Sequence, residues 1–322
     1  MVLTKKVRRS IIGTMIKKPI SGAGVEEHLR NIEPDSLDIF LLADGTLRGA
    51  IAHGTGMVNQ MRANHELGIL ESYVLGEAYL AAGLLSSQVK GNDRISLAIE
   101  CGGPIGGLSV ETDAQANVRG YLSQVPIPVE APLESFDLSP FFGPGFLKVS
   151  KHLENAKQPF SGQIMLREGS IAKDLAWYFL ESEQTKSFFA LSIQFDKQGN
   201  ISGAGGLFLQ ELPGADPETL ALVQESAREL PSLGTGFAAG ATGKALVEKG
   251  FASFRPVFIG TRNMRFFCSC SKERFSSFLA GMQGSQQEDI LKQDDFPLKI
   301  ECHNCGSIYH FSRIECEQLF SN

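Results

Sequence analysis

Apolar positions along this chain fall into short runs with two periods, and the period changes repeatedly between strand-like and helix-like. Leu37-Asp38-Ile39-Phe40-Leu41-Leu42 reads as a strand, Asp44-Gly45 as a turn, and Leu47 to Ala52 as a second strand, together a hairpin. From about His65 to Ser87, apolar residues recur at Leu67, Leu70, Val74, Ala78 and Ala81, which is helical spacing. Glycine-punctuated strands follow at Ile95 to Cys101, Leu108 to Glu111 and Val118 to Leu122. The proline-rich stretch from Val125 to Pro144 predicts an irregular connection. Strands resume at Phe146 to Val149 and Gly162 to Leu166. A helix is expected over Ile171 to Ser182 with Ser170 as its cap, then strands at Phe188 to Phe195 and Ile201 to Leu209. Because the elements do not alternate as regular βαβ units, residues 35–212 are expected to form a mixed α+β core domain.

Leu212-Pro213-Gly214 breaks this texture. Asp216-Pro217 opens a helix with Leu220, Val223, Ala227 and Leu230 on one face, and Pro231 ends it. Residues 234–243 hold four glycines, a hinge-like composition; a short helix about Ala245 precedes Phe251, Phe254, Val257, Phe258 and Ile259. Residues 213–262 therefore read as a helical connecting region, hydrophobic where a plain linker would be polar. A segment this apolar has to pack on something and would become adhesive if released.

Composition narrows the class. With 322 residues the chain is long enough to bury a large core without covalent staples. A net charge of −6 and a pI of about 5.6 argue against broad electrostatic binding to nucleic acid or acidic lipid. Phenylalanine outnumbers tyrosine and tryptophan 22 to 5 to 1, so most aromatic rings have no polar handle and belong in cores or on adhesive surface. No apolar run reaches the roughly 18 residues of a membrane span, and no secretory signal is visible. The expected location is the cytoplasm. Residues 1–34 form a basic lead with Lys5, Lys6, Arg8, Arg9, Lys17 and Lys18 and no acid before Glu26; organelle import is an alternative use for it, and a disordered or loosely docked extension is the expected structure.

The chemistry lies in the cysteines. Of six, Cys268, Cys270, Cys302 and Cys305 gather near one end as Cys-x-Cys and Cys-x-x-Cys-Gly. Two short-spaced pairs can supply the four tetrahedral sulfurs that Zn²⁺ prefers, in a small zinc-binding domain expected over residues 263–322. His303 and His310 could replace a cysteine as ligand, but His303 lies inside the knuckle and is expected to face solvent. In a segment with little core of its own, zinc binding is folding free energy, roughly 10–16 kcal/mol in small zinc peptides. The commoner use of such a site is purely structural. Thiolates held by zinc are also the nucleophilic form of cysteine, however, and oxidation to disulfides would abolish metal binding. Cys268 with Cys270 and Cys302 with Cys305 are close enough in sequence to pair locally.

Cys-x-Cys-Ser-Lys-Glu-Arg followed by Cys-x-x-Cys-Gly and an aromatic resembles the redox-regulated heat-shock holdases, the thirty-three-kilodalton chaperonin family. The resemblance extends upstream through Gly103-Pro104-Ile105-Gly106, Val118-Arg119-Gly120-Tyr121, Ser161-Gly162-Gln163, Tyr178-Phe179-Leu180-Glu181-Ser182-Glu183-Gln184, Ala204-Gly205-Gly206 and Gln210-Glu211-Leu212-Pro213-Gly214-Ala215. It runs from about Asp35 to the C-terminus. It implies one zinc ion on Cys268, Cys270, Cys302 and Cys305 in a reduced, inactive form. It implies that oxidation forms two disulfides, Cys268–Cys270 and Cys302–Cys305, releases zinc and unfolds the linker, after which unfolding proteins are bound without ATP. It implies no catalytic activity, and a homodimer in the oxidised form. Leu220, Val223, Phe251, Phe254 and Phe258 are the candidate client-binding residues. Two departures stand out: Gly250 to Pro256 lacks the acidic, histidine-containing stretch of the family's linker, and the basic lead is additional.

Other readings are weaker. Gly102 to Gly107 is glycine-rich, but a strand follows where a dinucleotide loop needs a helix. Gly240 to Ala245 has Ala238 and Ala245 where a phosphate loop needs glycine and Ser/Thr. A zinc-ribbon nucleic-acid or ribosome-binding protein is the alternative function, and a thiol oxidoreductase using Cys302 and Cys305 a third. Cys101 is expected as a buried strand-end thiol, and Cys316 lies in the last helical segment near Leu319 and Phe320.

Overall fold

A computed structural model describes residues 15–129 and 137–321; Lys5, Lys6, Arg8 and Arg9 of the basic lead and the middle of the proline-rich connection lie outside the described residues. The described chain divides into two compact units, residues 18–267 and residues 15–17 with 268–321.

In the larger unit, α1 (Val25–Asn31) precedes the expected hairpin, β1 (Ser36–Leu42) and β2 (Leu47–His53). Two helices follow, α2 (Thr55–His65) and α3 (Ile69–Leu85), then β3 (Arg94–Cys101), β4 (Gly107–Asp113) and β5 (Asn117–Leu122). A short turn of helix α4 (Ser139–Phe142) leads to β6 (Gly145–His152), β7 (Phe160–Met165), α5 (Ile171–Ser182), β8 (Ser187–Phe195) and β9 (Ile201–Glu211). Helices α6 (Pro217–Glu229), α7 (Leu233–Ala238) and α8 (Gly243–Gly250) precede β10 (Val257–Asn263) and the two-residue β11 (Arg265–Phe266).

Two sheets result. One has the order β10-β1-β2-β9-β8, all neighbours antiparallel. The other has the order β11-β5-β4-β3-β6-β7, antiparallel except for β11 beside β5. Helix α3 touches strands of both sheets, and 13 of its 17 residues are buried, which is why it is apolar all round rather than on one face. Tyr79, fully buried on α3, satisfies its hydroxyl by donating to the Gly120 carbonyl of β5 at 2.9 Å.

The helix expected over about 65–87 is α3, and a further helix, α2, precedes it. Glu66 adopts the left-handed conformation (φ 56°) and ends α2, so α3 begins only at Ile69. Helix α2 escaped the sequence reading because its cap is remote: Asp35, 21 residues upstream, accepts from the Gly56 amide at 2.9 Å and from that of Met57. On α5 the expected range is observed, but Ser170 does not cap through its side chain. The fully buried Asp174 instead reaches back and accepts from the amides of Arg167, Glu168 and Ser170.

Residues 213–262 pack on the first sheet. The Asp216 side chain caps α6 by accepting from the Thr219 amide at 2.8 Å, as its sequence suggests. Leu220 and Val223 of α6, Phe237 of α7, Val247 of α8 and Phe251 share one core with Phe40, Leu47 and Leu207 of the sheet. Two details differ from expectation. Gly234 does not face open space: a Cβ on it would lie 2.9 Å from the Gln194 amide, and one on Gly203 of β9 would lie 2.0 Å from the Gly234 carbonyl. Glycine here lets a helix backbone touch a strand backbone. Nor is the region wholly helical, because β10 is an edge strand paired with β1, with Phe258 opposite Phe40.

His53 ties this packing to pH. Its ring is 2% exposed and lies stacked on Phe237, centroids 4.3 Å apart, with Nε2 2.9 Å from Thr55 Oγ1. Burial lowers its pKa from 6.5 to about 4. Between these values the unfolded chain takes up a proton that the folded chain refuses. The contribution of this group to stability is therefore full above pH 6.5 and falls as pH drops towards 4, by on the order of 3 kcal/mol. Urea midpoints measured across that window should fall more steeply for the native chain than for His53→Gln; parallel curves would remove His53 from the account.

Candidate metal centre

In the smaller unit, α9 (Lys272–Ala280) and α10 (Gly284–Lys292) precede a hairpin of β12 (Leu298–Glu301) and β13 (Ile308–Phe311), and α11 (Arg313–Phe320) closes it. The first cysteine pair sits just before α9, whose cap Ser271 accepts from the Arg274 amide. The second pair occupies the turn between β12 and β13. There the Cys305 and Gly306 amides donate to the Cys302 carbonyl at 3.1 and 2.8 Å, and the Cys302 amide donates to the Ser307 carbonyl at 2.9 Å. Gly306 takes φ 62°, which a side chain would resist, so the glycine of Cys-x-x-Cys-Gly is what lets the knuckle close.

This geometry brings all four sulfurs within 4.8 Å of one another, every one of the four residues being buried. Cys268 and Cys302 sulfurs are 3.8 Å apart, and those of Cys270 and Cys305 are 3.3 Å apart. A tetrahedral zinc site with Zn–S bonds of about 2.3 Å has sulfur–sulfur edges of about 3.8 Å, so the donor set fits such an ion in both chemistry and size. The electrostatics agree. Contacts with Cys268, Cys270 and Cys305 push the Cys302 thiol far up, and Cys268 and Cys270 do the same to Cys305. Against an upward push from Cys268, hydrogen bonds with Cys302 and Cys305 draw Cys270 down to about 7. Four crowded thiols cannot all ionise without a cation among them.

Three surrounding residues escaped the sequence reading. Tyr309, 6% exposed, donates its hydroxyl to the Cys270 carbonyl at 3.2 Å and lies 3.2 Å from the Cys270 sulfur. Its signal was present, as the aromatic that follows the knuckle. Ser307 Oγ lies 3.2 Å from the Cys305 sulfur. Met15, in the lead, receives the Cys268 amide on its sulfur at 3.1 Å; nothing in the pattern of that lead marks it.

His303 and His310 are exposed, outside the sulfur cluster. Cys316 is fully buried on α11. Cys101 is half-exposed rather than buried. It shares the inward parity of Ile95, Leu97 and Ile99, but it ends its strand opposite Gly145, which has no side chain to cover it. Of the candidate client residues, Leu220, Val223 and Phe251 are buried and Phe254 and Phe258 half-buried, all in the core beneath α6 to α8. Gly243-Lys244 opens α8, where Thr242 caps the Ala245 amide.

A family model described as Hsp33 protein matches residues 35–312. The chain belongs to the Hsp33 family. Among curated relatives it is 31% identical to the 33 kDa chaperonin of Desulforamulus reducens, over 86% of this chain and 94% of that protein. It is 33% identical to the 33 kDa chaperonin of Ruminiclostridium cellulolyticum, with the same coverage. Among solved structures, the 33 kDa chaperonin of Thermotoga maritima superposes with a TM-score of 0.80 at 28% identity, covering 90% of this chain and 98% of that one. The Hsp33 match begins at residue 35, so the basic lead stands outside it. The Hsp33 fold and the clustered four-cysteine site together are those of a redox-regulated holdase, a chaperone without catalytic activity. Among the described residues no helix is long and apolar enough to cross a membrane.

Proposed function

We propose that Cys268, Cys270, Cys302 and Cys305 hold one zinc ion while reduced, and that their oxidation is the event that turns this ATP-independent holdase on. The observation that carries this reading is the convergence of four sulfurs, and only sulfurs, within 4.8 Å in a unit with little other core. Bound zinc supplies the positive charge that keeps four neighbouring sulfurs as thiolates. The chain's own residues do the rest. In each pair, two thiolates give two electrons to hydrogen peroxide and two protons come from solvent, so that one S–S bond forms and two waters leave. Sulfurs joined in this way have no thiolate left for a metal. The pairing proposed is Cys268–Cys270 and Cys302–Cys305.

Residues 213–262 serve as the redox-sensitive linker between a core over 35–212 and a switch over 263–322. The chain enters the switch through β11, held at the sheet edge by Arg265 and Phe267 amides donating to the Ala116 and Val118 carbonyls. That short anchor is easily lost once the following segment unfolds. Release of α6 to α8 would then expose Leu220, Val223, Phe251, Phe254 and Phe258 to unfolding client proteins. A homodimer of the oxidised form follows from the resemblance, and a cytoplasmic location is the expectation set by the sequence.

Zinc content and suppression of client aggregation, measured on the same samples before and after peroxide, test this reading. One zinc and no suppression should become no zinc and strong suppression; suppression indifferent to oxidation would refute it. Unreduced tryptic peptides test the pairing. Local pairing leaves Phe266–Lys272 and Ile300–Arg313 separate, each two hydrogens light, whereas pairing across the cluster joins them.

A further inference from the structure

Residues 15–17 group with the cysteine unit although some 250 residues separate them in sequence, and the family match does not begin until residue 35. The contacts are specific. The Met15 side chain is 6% exposed, and its sulfur accepts from the Cys268 amide at 3.1 Å. Ile16 binds one hydroxyl through both of its backbone groups: its amide donates to Ser307 Oγ at 3.0 Å, and its carbonyl accepts from the same Oγ at 3.1 Å. Ser307 is 1% exposed and sits 3.2 Å from the Cys305 sulfur. One short segment therefore touches both halves of the cluster, the Cys-x-Cys loop through Met15 and the knuckle through Ile16. The segment carries no acid, so it brings no carboxylate to a site that gathers thiolates.

We infer that residues 15–17 are a strap whose docking surface is the four-cysteine unit, with Met15 and Ile16 as positioning residues that hold the two cysteine loops together and slow their opening to oxidant. The inference rests on reading the cluster as the redox switch. The physical reason is local. An oxidant reaches buried sulfurs only when the loops part, and parting here also breaks the Met15 and Ile16 contacts, so each adds to the free energy of the opening. Ser307 has a single proton. While strapped, it gives that proton to the Ile16 carbonyl; once released, it can give it to the Cys305 sulfur instead.

Peroxide-driven zinc release from the reduced, zinc-loaded full chain, followed with a chromogenic chelator, tests the strap. Deleting residues 1–17, or Ile16→Pro, which removes the amide donor, should speed release roughly fivefold or more, the rate equivalent of one lost net hydrogen bond, at unchanged zinc stoichiometry. Rates equal to those of the unaltered chain would overturn the strap. A second measurement needs no variant. Sulfoxide formation at Met15 should lag behind zinc release, whereas Met165, 64% exposed, should oxidise at once. Oxidation of Met15 at the pace of Met165 in the zinc-loaded chain would also overturn it. Failure of the switch reading looks different: peroxide then releases no zinc from any form, and release driven by chelator alone still reports whether the strap slows opening.

Discussion

Stripping zinc from the reduced chain with a chelator is expected to leave residues 268–321 without a stable fold, while the strands of the larger unit keep theirs. Apart from its cysteines, the smaller unit buries only Met15, Leu279, Tyr309 and Phe311 among its apolar residues, and α10 buries none at all. Units of this size rarely stabilise themselves by burial alone. The four sulfurs make up the difference, because zinc on such a set contributes roughly 10–16 kcal/mol. Without it, thiols that crowd to 3.3 and 3.8 Å gain nothing from staying together. Hydrogen exchange should show β12, β13 and α11 losing amide protection on chelation and regaining it when zinc is restored, with β2, β3, β4 and β9 unchanged. Cys305→Ser should copy the chelated state. Protection of the β12–β13 hairpin that survives chelation would show that the sulfurs are incidental to the fold, and the switch would lose its lever.

How much of this was legible in sequence depended on whether the determinant was local. The hairpin at Asp44-Gly45, the α5 range and the cap at Asp216 are set by residues within a turn of where they act, and the structure places them as expected. The four cysteines were legible because metal ligation restricts residue type and spacing together. What failed was mostly remote. Asp35 caps α2 from outside it; a local miss is Asp174, which takes the place of Ser170 in satisfying amides at the start of α5. Gly234 lies in a stretch of hinge-like composition, but with Gly203 it serves a close contact between a helix and a strand visible only once β9 is placed. Met15 is the extreme case, a residue of an unpatterned lead that reaches Cys268.

Phe237→Ala should give a holdase that works while reduced and still carrying zinc. Phe237 is fully buried, lies flat on His53, and covers Gly205 of β9 so closely that a Cβ there would lie 2.2 Å from its ring. Truncating such a ring costs about 3–5 kcal/mol. The loss falls on the packing of α6 to α8 against the first sheet, not on the sulfur cluster. Whole domains are stable by only about 5–15 kcal/mol, and the docking of three short helices is a fraction of that, so local release precedes global unfolding. Leu220, Val223 and Phe251 then become accessible without any change at the cysteines. Phe237 is not among the residues proposed to touch clients, so its removal should free that surface without depleting it. Val257→Ala, at a side chain 58% exposed on β10, is the matched control and should change stability by no more than about 0.5 kcal/mol. Zinc content and circular dichroism certify that the variant is folded, and aggregation suppression without oxidant is the readout. A folded, zinc-loaded Phe237→Ala chain whose α6 to α8 amides exchange freely and which still ignores unfolding proteins would mean that clients are held elsewhere. The hydrophobic character of residues 213–262 would then serve only to close the sheet.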